Sequence, residues 1–245
     1  MIKYSQYKYK RIDVDSFKDK AKNIIQNLNN LHSVKEQIVS IKNLEKIMGE
    51  WSTYASIANL EFSRNTFSDK NKIENEYYDN IQPDMQEIST QYANALLESP
   101  YRSELEKEYG SHIFNLKETE RKIFKVEIKD LMREESELCN RYTELVSSAK
   151  IDFKGNTYNL TGLGKFHTDA NREVRKESYI ARFNFFEENA DELDSIYDKL
   201  VKVRTKIAHD LGYENYIQLG YNRLNRTDYD DKDVAIFRQQ IIDHV

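Results

Sequence analysis

Seven glycines and two prolines among 245 residues leave this chain very few places to turn. An average protein devotes roughly 12% of its residues to these two types. Sandwiches, barrels and repeated βαβ units all depend on the turn conformations they supply. The scarcity excludes those architectures and leaves helices joined by short connections. The formal charge is −5 and the sequence pI about 5.7, so no global basic field exists to hold a polyanion, and general nucleic-acid binding is excluded. The single cysteine, Cys139, cannot close an internal disulfide and reads as a small buried filler in a reducing compartment. Apolar runs such as Ile24-Ile25 and Phe185-Phe186 fall far short of the about 20 residues that a membrane span needs. The opening residues Met1 to Arg11 have no apolar stretch behind them and are not expected to act as a secretory signal. The chain is therefore expected to be cytoplasmic, with neither membrane nor nucleic acid as a partner.

Apolar residues recur at helical spacing along almost the whole length, which predicts a mainly α protein with at least about 70% helix. Two helices are expected between Asp15 and about Leu60, broken at Asn27 to Asn30, with Ser33 capping the second and Glu36 three residues on. A third begins at Ser68 or Asp69 and runs toward Glu98, with Pro83 either opening a new helix or kinking this one. A short helix closes at Gly110, and a long helical segment runs from Leu116 to about Ser147. The period then changes. Lys150 to Leu160 alternates apolar and polar residues around Gly155-Asn156, which predicts a β-hairpin turning there. Thr168 or Asp169 is expected to cap a helix that carries Val174, Tyr179, Phe183 and Phe186 and stops near Asn189. Another helix spans about Asp191 to Leu211 and stops at Gly212, and a short one covers Tyr213 to Leu224. From Asp231 on, Val234, Phe237, Ile241 and Val245 share one helical face that needs a partner surface, so the chain is expected to be a fragment.

Few residues suggest chemistry. His32, His112, His167, His209 and His244 are too far apart in sequence for a helical metal-binding pair, so no metal site is expected within these residues. Gly162-Leu163-Gly164 lacks the rest of a dinucleotide fingerprint and reads as a turn. Glu134-Glu135 and Glu187-Glu188 read as solvated helix surface. Tyr4, Tyr7, Lys8, Tyr9, Lys10 and Arg11 interleave aromatic and basic residues, but Asp13, Asp15 and Asp19 follow directly, which favours an arm that packs its tyrosines on the body.

Residues 147 to 243 carry an ordered series of short segments. These are the hairpin Ile151-Asp152-Phe153-Lys154-Gly155 with Tyr158-Asn159-Leu160, then Asp169-Ala170-Asn171-Arg172-Glu173-Val174-Arg175-Lys176 and Ile196-Tyr197-Asp198-Lys199-Leu200-Val201. Leu211-Gly212-Tyr213-Glu214-Asn215-Tyr216, Gly220-Tyr221 and Arg226-Thr227-Asp228-Tyr229 complete the series. In order and spacing it resembles the oligoendopeptidase F-type zinc metallopeptidases related to thimet oligopeptidase, with Asn171 where that family has arginine.

The resemblance implies residues 1–146 as a multi-helix N-terminal lobe and residues 147–245 as the beginning of a helical zincin-type catalytic lobe. It also implies a whole protein that hydrolyses short peptides in a deep channel, with zinc held by a His-Glu-x-x-His helix and a later glutamate. The chain ends before those residues would appear. It is therefore expected to contribute no catalytic residue and no zinc ligand, to be inactive alone, and to pack the missing C-terminal half on its last helix. Gly212 is expected to stop a helix, Gly220 to allow close helix packing, and Arg172 and Arg175 to pair with carboxylates. Arg226, Asp228 and Tyr229 are expected to brace the turn before the last helix, and Arg226 and Tyr229 are alternatively the candidates for the substrate channel, since functional polar groups favour loops on a rigid scaffold. A free-standing helical interaction module without chemistry is the alternative.

Overall fold

The computed structural model describes residue 6 and residues 8–245. Among these, 77% of residues are helical, in eleven α-helices with short 3-10 turns, and a two-stranded hairpin supplies the sheet. The mainly α class and the single hairpin agree with the turn-poor sequence.

Helix α1 (Val14–Leu28) opens on Asp13, whose carboxylate accepts the Ser16 amide at 3.1 Å. Helix α2 (Val34–Arg64) opens on Ser33, which accepts the Glu36 amide, while Glu36 accepts the His32 amide at 2.9 Å. Helix α3 (Asp69–Leu97) is capped by Ser68 and runs unbroken through a buried Pro83. That proline removes the N–H owed to the Asp79 carbonyl. Arg133 donates to the neighbouring Asn80 carbonyl at 3.1 Å. Helices α4 (Arg102–Tyr109) and α5 (Ser111–Glu120) meet at Gly110, whose φ of 84° lies in the left-handed region.

These five helices share one core of Phe17, Leu28, Ile41, Leu44, Met85, Ile88, Leu105 and Phe114, each contributing on the order of 1.5 to 3 kcal/mol by burial. Gln37 is fully buried inside it, and its amide is satisfied on both sides: it donates to the Leu28 carbonyl at 3.0 Å and accepts from Ser99 at 2.7 Å. The N-terminal arm packs as expected through Tyr9, which lies edge-on to Tyr54 and Tyr78 and donates to Glu74. Tyr4 and Tyr7 lie outside the described residues.

The expected long helix over 116–147 is instead two. After α5 the chain turns, Lys125 is extended, a 3-10 turn covers Val126–Ile128, and α6 (Lys129–Ser147) starts afresh. Phe124 and Ile128 are buried in this break and anchor a second core with Val203, Ile207, Ala208, Leu211 and Leu219. Strands β1 (Ile151–Phe153) and β2 (Asn156–Tyr158) pair antiparallel with Phe153 opposite Asn156, so the turn is Lys154-Gly155, one residue earlier than expected. Both turn residues take positive φ, 50° and 77°.

The expected turn at 162–164 is helical. Helix α7 (Leu160–Leu163) is capped by Asn159, which accepts the Gly162 amide at 2.7 Å, and Gly164–Phe166 continues as a 3-10 turn. Helix α8 (Arg172–Glu188) is capped by Asn171, not by Thr168 or Asp169. It turns Val174, Ala181, Phe185 and Phe186 onto a third core under the hairpin and leaves Tyr179 and Phe183 exposed. Helix α9 (Ala190–Leu211) ends at Gly212 in the left-handed conformation, with the Tyr213 amide reaching back to the Ala208 carbonyl at 2.9 Å. Helix α10 (Tyr216–Arg223) starts three residues later than expected, after an Asn215 cap. Helix α11 (Asp231–His244) has no buried residue.

Candidate functional site

The two residues singled out for the substrate channel sit together on the turn between α10 and α11. Asn225 takes a φ of 55°, and the Arg226 amide then donates back to the Tyr221 carbonyl at 3.1 Å. This fold-back lays the Arg226 guanidinium 5.0 Å from the Tyr221 ring and 5.6 Å from the Tyr229 ring. The two rings meet edge-to-face at 6.0 Å. The far side of the turn is fixed by a reciprocal cap: Asp230 accepts the Lys232 and Asp233 amides at 2.8 and 3.2 Å, and Asp233 accepts the Asp230 amide at 3.0 Å. Between α5, α10 and this turn lies a polar groove of about 460 Å³ that also carries Asn115, Lys122 and Asn222. Asn222 donates to the Tyr213 hydroxyl at 2.7 Å, and that hydroxyl donates to the Lys122 carbonyl at 3.3 Å, which ties α10 to the end of α5.

Helix α10 is held from below by a residue that sequence reasoning placed on solvated surface. Glu135 is only 14% exposed and accepts from Arg204 on α9 at 2.7 Å and from Arg223 on α10 at 2.8 Å. Both guanidinium groups also lie against the Tyr216 ring, at 5.7 and 5.8 Å. The carboxylate thus joins three helices through charge-assisted bonds, and Arg223 sits at the last position of α10, directly before the candidate turn. Gly220 does not serve a close approach between helices: a side chain there would meet the Tyr216 ring of its own helix at 3.4 Å.

A second, larger cleft of about 790 Å³ lies along α3 and α6. On its wall Asp79 accepts from the side-chain amides of Asn75 and Asn140, each at 2.7 Å, and Asn59 donates to Asn75 at 3.2 Å. Burial pushes the Asp79 carboxyl above its ordinary range, against the two amide bonds that favour the ionised form. Lys72 and Glu144 pair at 2.7 Å on the same cleft.

The residues present do not fit a catalytic metal. Among the described residues, no group of three or more histidines, cysteines or carboxylates is placed to hold an ion. His167 stacks on Tyr179 at 4.1 Å, and His209 meets the Glu214 carbonyl at 3.0 Å. Cys139 is partly rather than fully buried, with Arg204 3.9 Å from its sulfur, and burial pushes its thiol up. Arg175 does not find the carboxylate expected for it and donates to the Asp169 and Ala170 carbonyls; Arg172 forms no ion pair among the described residues.

Residues 4–124 match the family model described as Peptidase M3 N-terminal domain. Over its whole length the chain superposes on an oligoendopeptidase F from Bacillus anthracis str. Ames, with 38% identity and a TM-score of 0.95, and covers 45% of that protein. The chain fits the N-terminal portion of an M3 peptidase. A second oligoendopeptidase F structure matches at 33% identity and a TM-score of 0.96, and PZ peptidase A, solved with an inhibitor, at 36% and 0.95. The chain spans 43% of the length of each of those two proteins. No curated protein matches it. No helix among the described residues is long and apolar enough to cross a membrane.

Proposed function

We propose that this chain is the N-terminal part of a cytoplasmic zinc oligoendopeptidase that hydrolyses short peptides, with Arg226 and Tyr229 on the wall of its substrate channel. The observation that carries the reading is the whole-length superposition, at 33–38% identity, on just under half of each oligoendopeptidase or PZ peptidase structure. In this reading residues 1–146 form the helical lobe and residues 147–245 begin the catalytic lobe. The zinc ligands and the general base come from chain beyond residue 245.

The distribution of exposed apolar side chains supports this division. Among the described residues, those up to 146 expose Val39, Leu60, Phe67, Ile73, Val126 and Tyr142, scattered over α2, α3, α6 and the loops between them. Those after 146 expose Tyr179 and Phe183 on α8, Tyr197 on α9, and Ile236, Phe237 and Ile242 on α11, among others. Concentration in one half of a chain is what a surface covered by further protein looks like. The second half of the polypeptide would cover α11 in particular.

Reading the gene past codon 245 tests this. A downstream His-Glu-x-x-His with a later glutamate is expected, and the extended protein should cut internally quenched short peptides in a chelator-sensitive way while residues 1–245 alone do not. A stop codon directly after Val245, with no hydrolysis by the chain, would support the free-standing interaction module instead.

A further inference from the structure

The carboxylates around the groove beside Arg226 each have a partner. Asp230 accepts the Lys232 and Asp233 amides and Asp233 accepts the Asp230 amide, Glu118 lies 2.7 Å from Arg121 and 3.6 Å from Arg102, and Asp228 accepts the Thr227 hydroxyl at 3.1 Å. The two cations on the groove differ. Among the described residues, neither Lys122 nor Arg226 forms an ion pair. Arg226 touches Tyr221 and Tyr229 through their ring faces, a contact that orients a guanidinium while using none of its five N–H donors. A planar donor fork held over aromatic rings, with a second ammonium on the same groove, matches a carboxylate. The four neighbouring acids disfavour a phosphate dianion more strongly than a singly charged ligand.

We propose that this groove receives the free C-terminal carboxylate of a peptide. Arg226 supplies the fork and Lys122 the second charge, and the Tyr229 ring on the groove wall flanks the last side chain. The assignment rests on the peptidase reading above for the class of ligand, and on the charge inventory for the end of the peptide that is read.

Calorimetric titration of the 245-residue protein with acetyl-Ala-Ala-Phe as the free acid and as its amide tests the assignment without requiring turnover. The acid should bind at least about tenfold more tightly, as one charge-assisted pair implies, and the gap should narrow with added salt. Arg226→Gln should erase the preference and Arg226→Lys should keep part of it. Lys122→Gln, at an exposed position, should reduce it with no change in unfolding temperature. Equal binding of acid and amide, binding of neither, or a preference that survives Arg226→Gln overturns the proposal. If the acid preference holds while the extended protein shows no chelator-sensitive hydrolysis, the peptidase reading fails and the carboxylate site stands.

Discussion

Arg223, the last residue of α10, reaches Glu135 on α6 at 2.8 Å, and the same carboxylate takes Arg204 of α9 on its other oxygen. Removing the carboxylate leaves two guanidinium groups facing each other around Tyr216. Breaking a buried pair this way costs on the order of 3 to 5 kcal/mol, and the partial exposure of Arg204 points to the lower figure. Glu135→Ala should therefore lower stability by about 3 kcal/mol in chemical unfolding. A loss below about 0.5 kcal/mol, the size of a typical exposed pair, would show that the three helices are held by apolar packing alone.

Five residues apart on α3, two carboxyls are shifted in opposite directions. Glu74 accepts Arg11 in a two-pronged pair at 2.6 and 3.0 Å, with Tyr9 as a third donor, and Arg11 holds its carboxyl below the usual range. A carboxyl lowered in the folded state contributes stability above its unfolded pKa of about 4.3 and loses it as pH falls through the folded value. Glu74→Gln should thus destabilise the protein near pH 7, and the difference from wild type should fade below about pH 4. A gap that persists unchanged at pH 3 would place the effect in shape rather than charge.

Asp79 has the opposite sign. Burial raises its folded pKa, so the folded state holds the proton more tightly and stability falls as pH rises past the unfolded value of about 3.9. Asp79→Asn removes the charge while keeping a carbonyl oxygen for the two amides that now converge on Oδ2. Stability at pH 7 should rise or stay level, and any gain should vanish near pH 3. Urea midpoints of the two proteins across pH 3 to 8 decide this, and a clear loss at pH 7 would mean that the amide pair needs the full carboxylate.

The hairpin turn offers a backbone test. Gly155 has open space where a Cβ would go, so Gly155→Ala should be penalised by its φ of 77° alone, by about 1 kcal/mol. Lys154→Asn should instead stabilise by a few tenths of a kcal/mol, because asparagine tolerates the left-handed region and Asn-Gly is the favoured pair at this turn type. Thermal unfolding of both variants is the measurement. A neutral Gly155→Ala would mean that the turn relaxes to another type.

What the sequence made legible is what local chemistry decides. Ser33 with Glu36, Ser68 and Gly212 each mark a helix end by bonds within four or five residues, and each sits where expected. The break at 121–128 was hidden because Ile123, Val126, Ile128 and Leu131 keep helical spacing straight through it, and burial of Phe124 in a core built by α9 overrides that pattern. The hairpin slipped by one because Gly-Asn reads as a turn, while Lys154 accepts a positive φ that its residue type does not advertise. Of the candidate site, the turn with Arg226 and Tyr229 was legible as a polar loop after a helix. Its support was not, since Glu135 meets partners 69 and 88 positions away, and a Glu-Glu pair looks the same in sequence whether solvated or bridged.

The apolar face of α11 gives the last test. Phe237 is 61% exposed, Ile242 74% and Val245 fully so, and no residue of the helix is buried. Each such side chain gains on the order of 1.5 to 3 kcal/mol when covered, which is large against a typical stability of about 5 to 15 kcal/mol. A helix with no buried residue, held by the Asp230–Asp233 cap and light packing on α10, should open locally at little free-energy cost. Amide exchange over residues 231–245 should therefore run far ahead of exchange in α3 for the 245-residue protein, and should slow in a longer polypeptide whose added half covers this face. Light scattering must first establish that the protein is monomeric, since self-association through the same face would also slow exchange. Exchange at 231–245 as slow as in α3, in a proven monomer, would show that α11 needs no further surface and would remove the support that its exposed face lends to the peptidase reading.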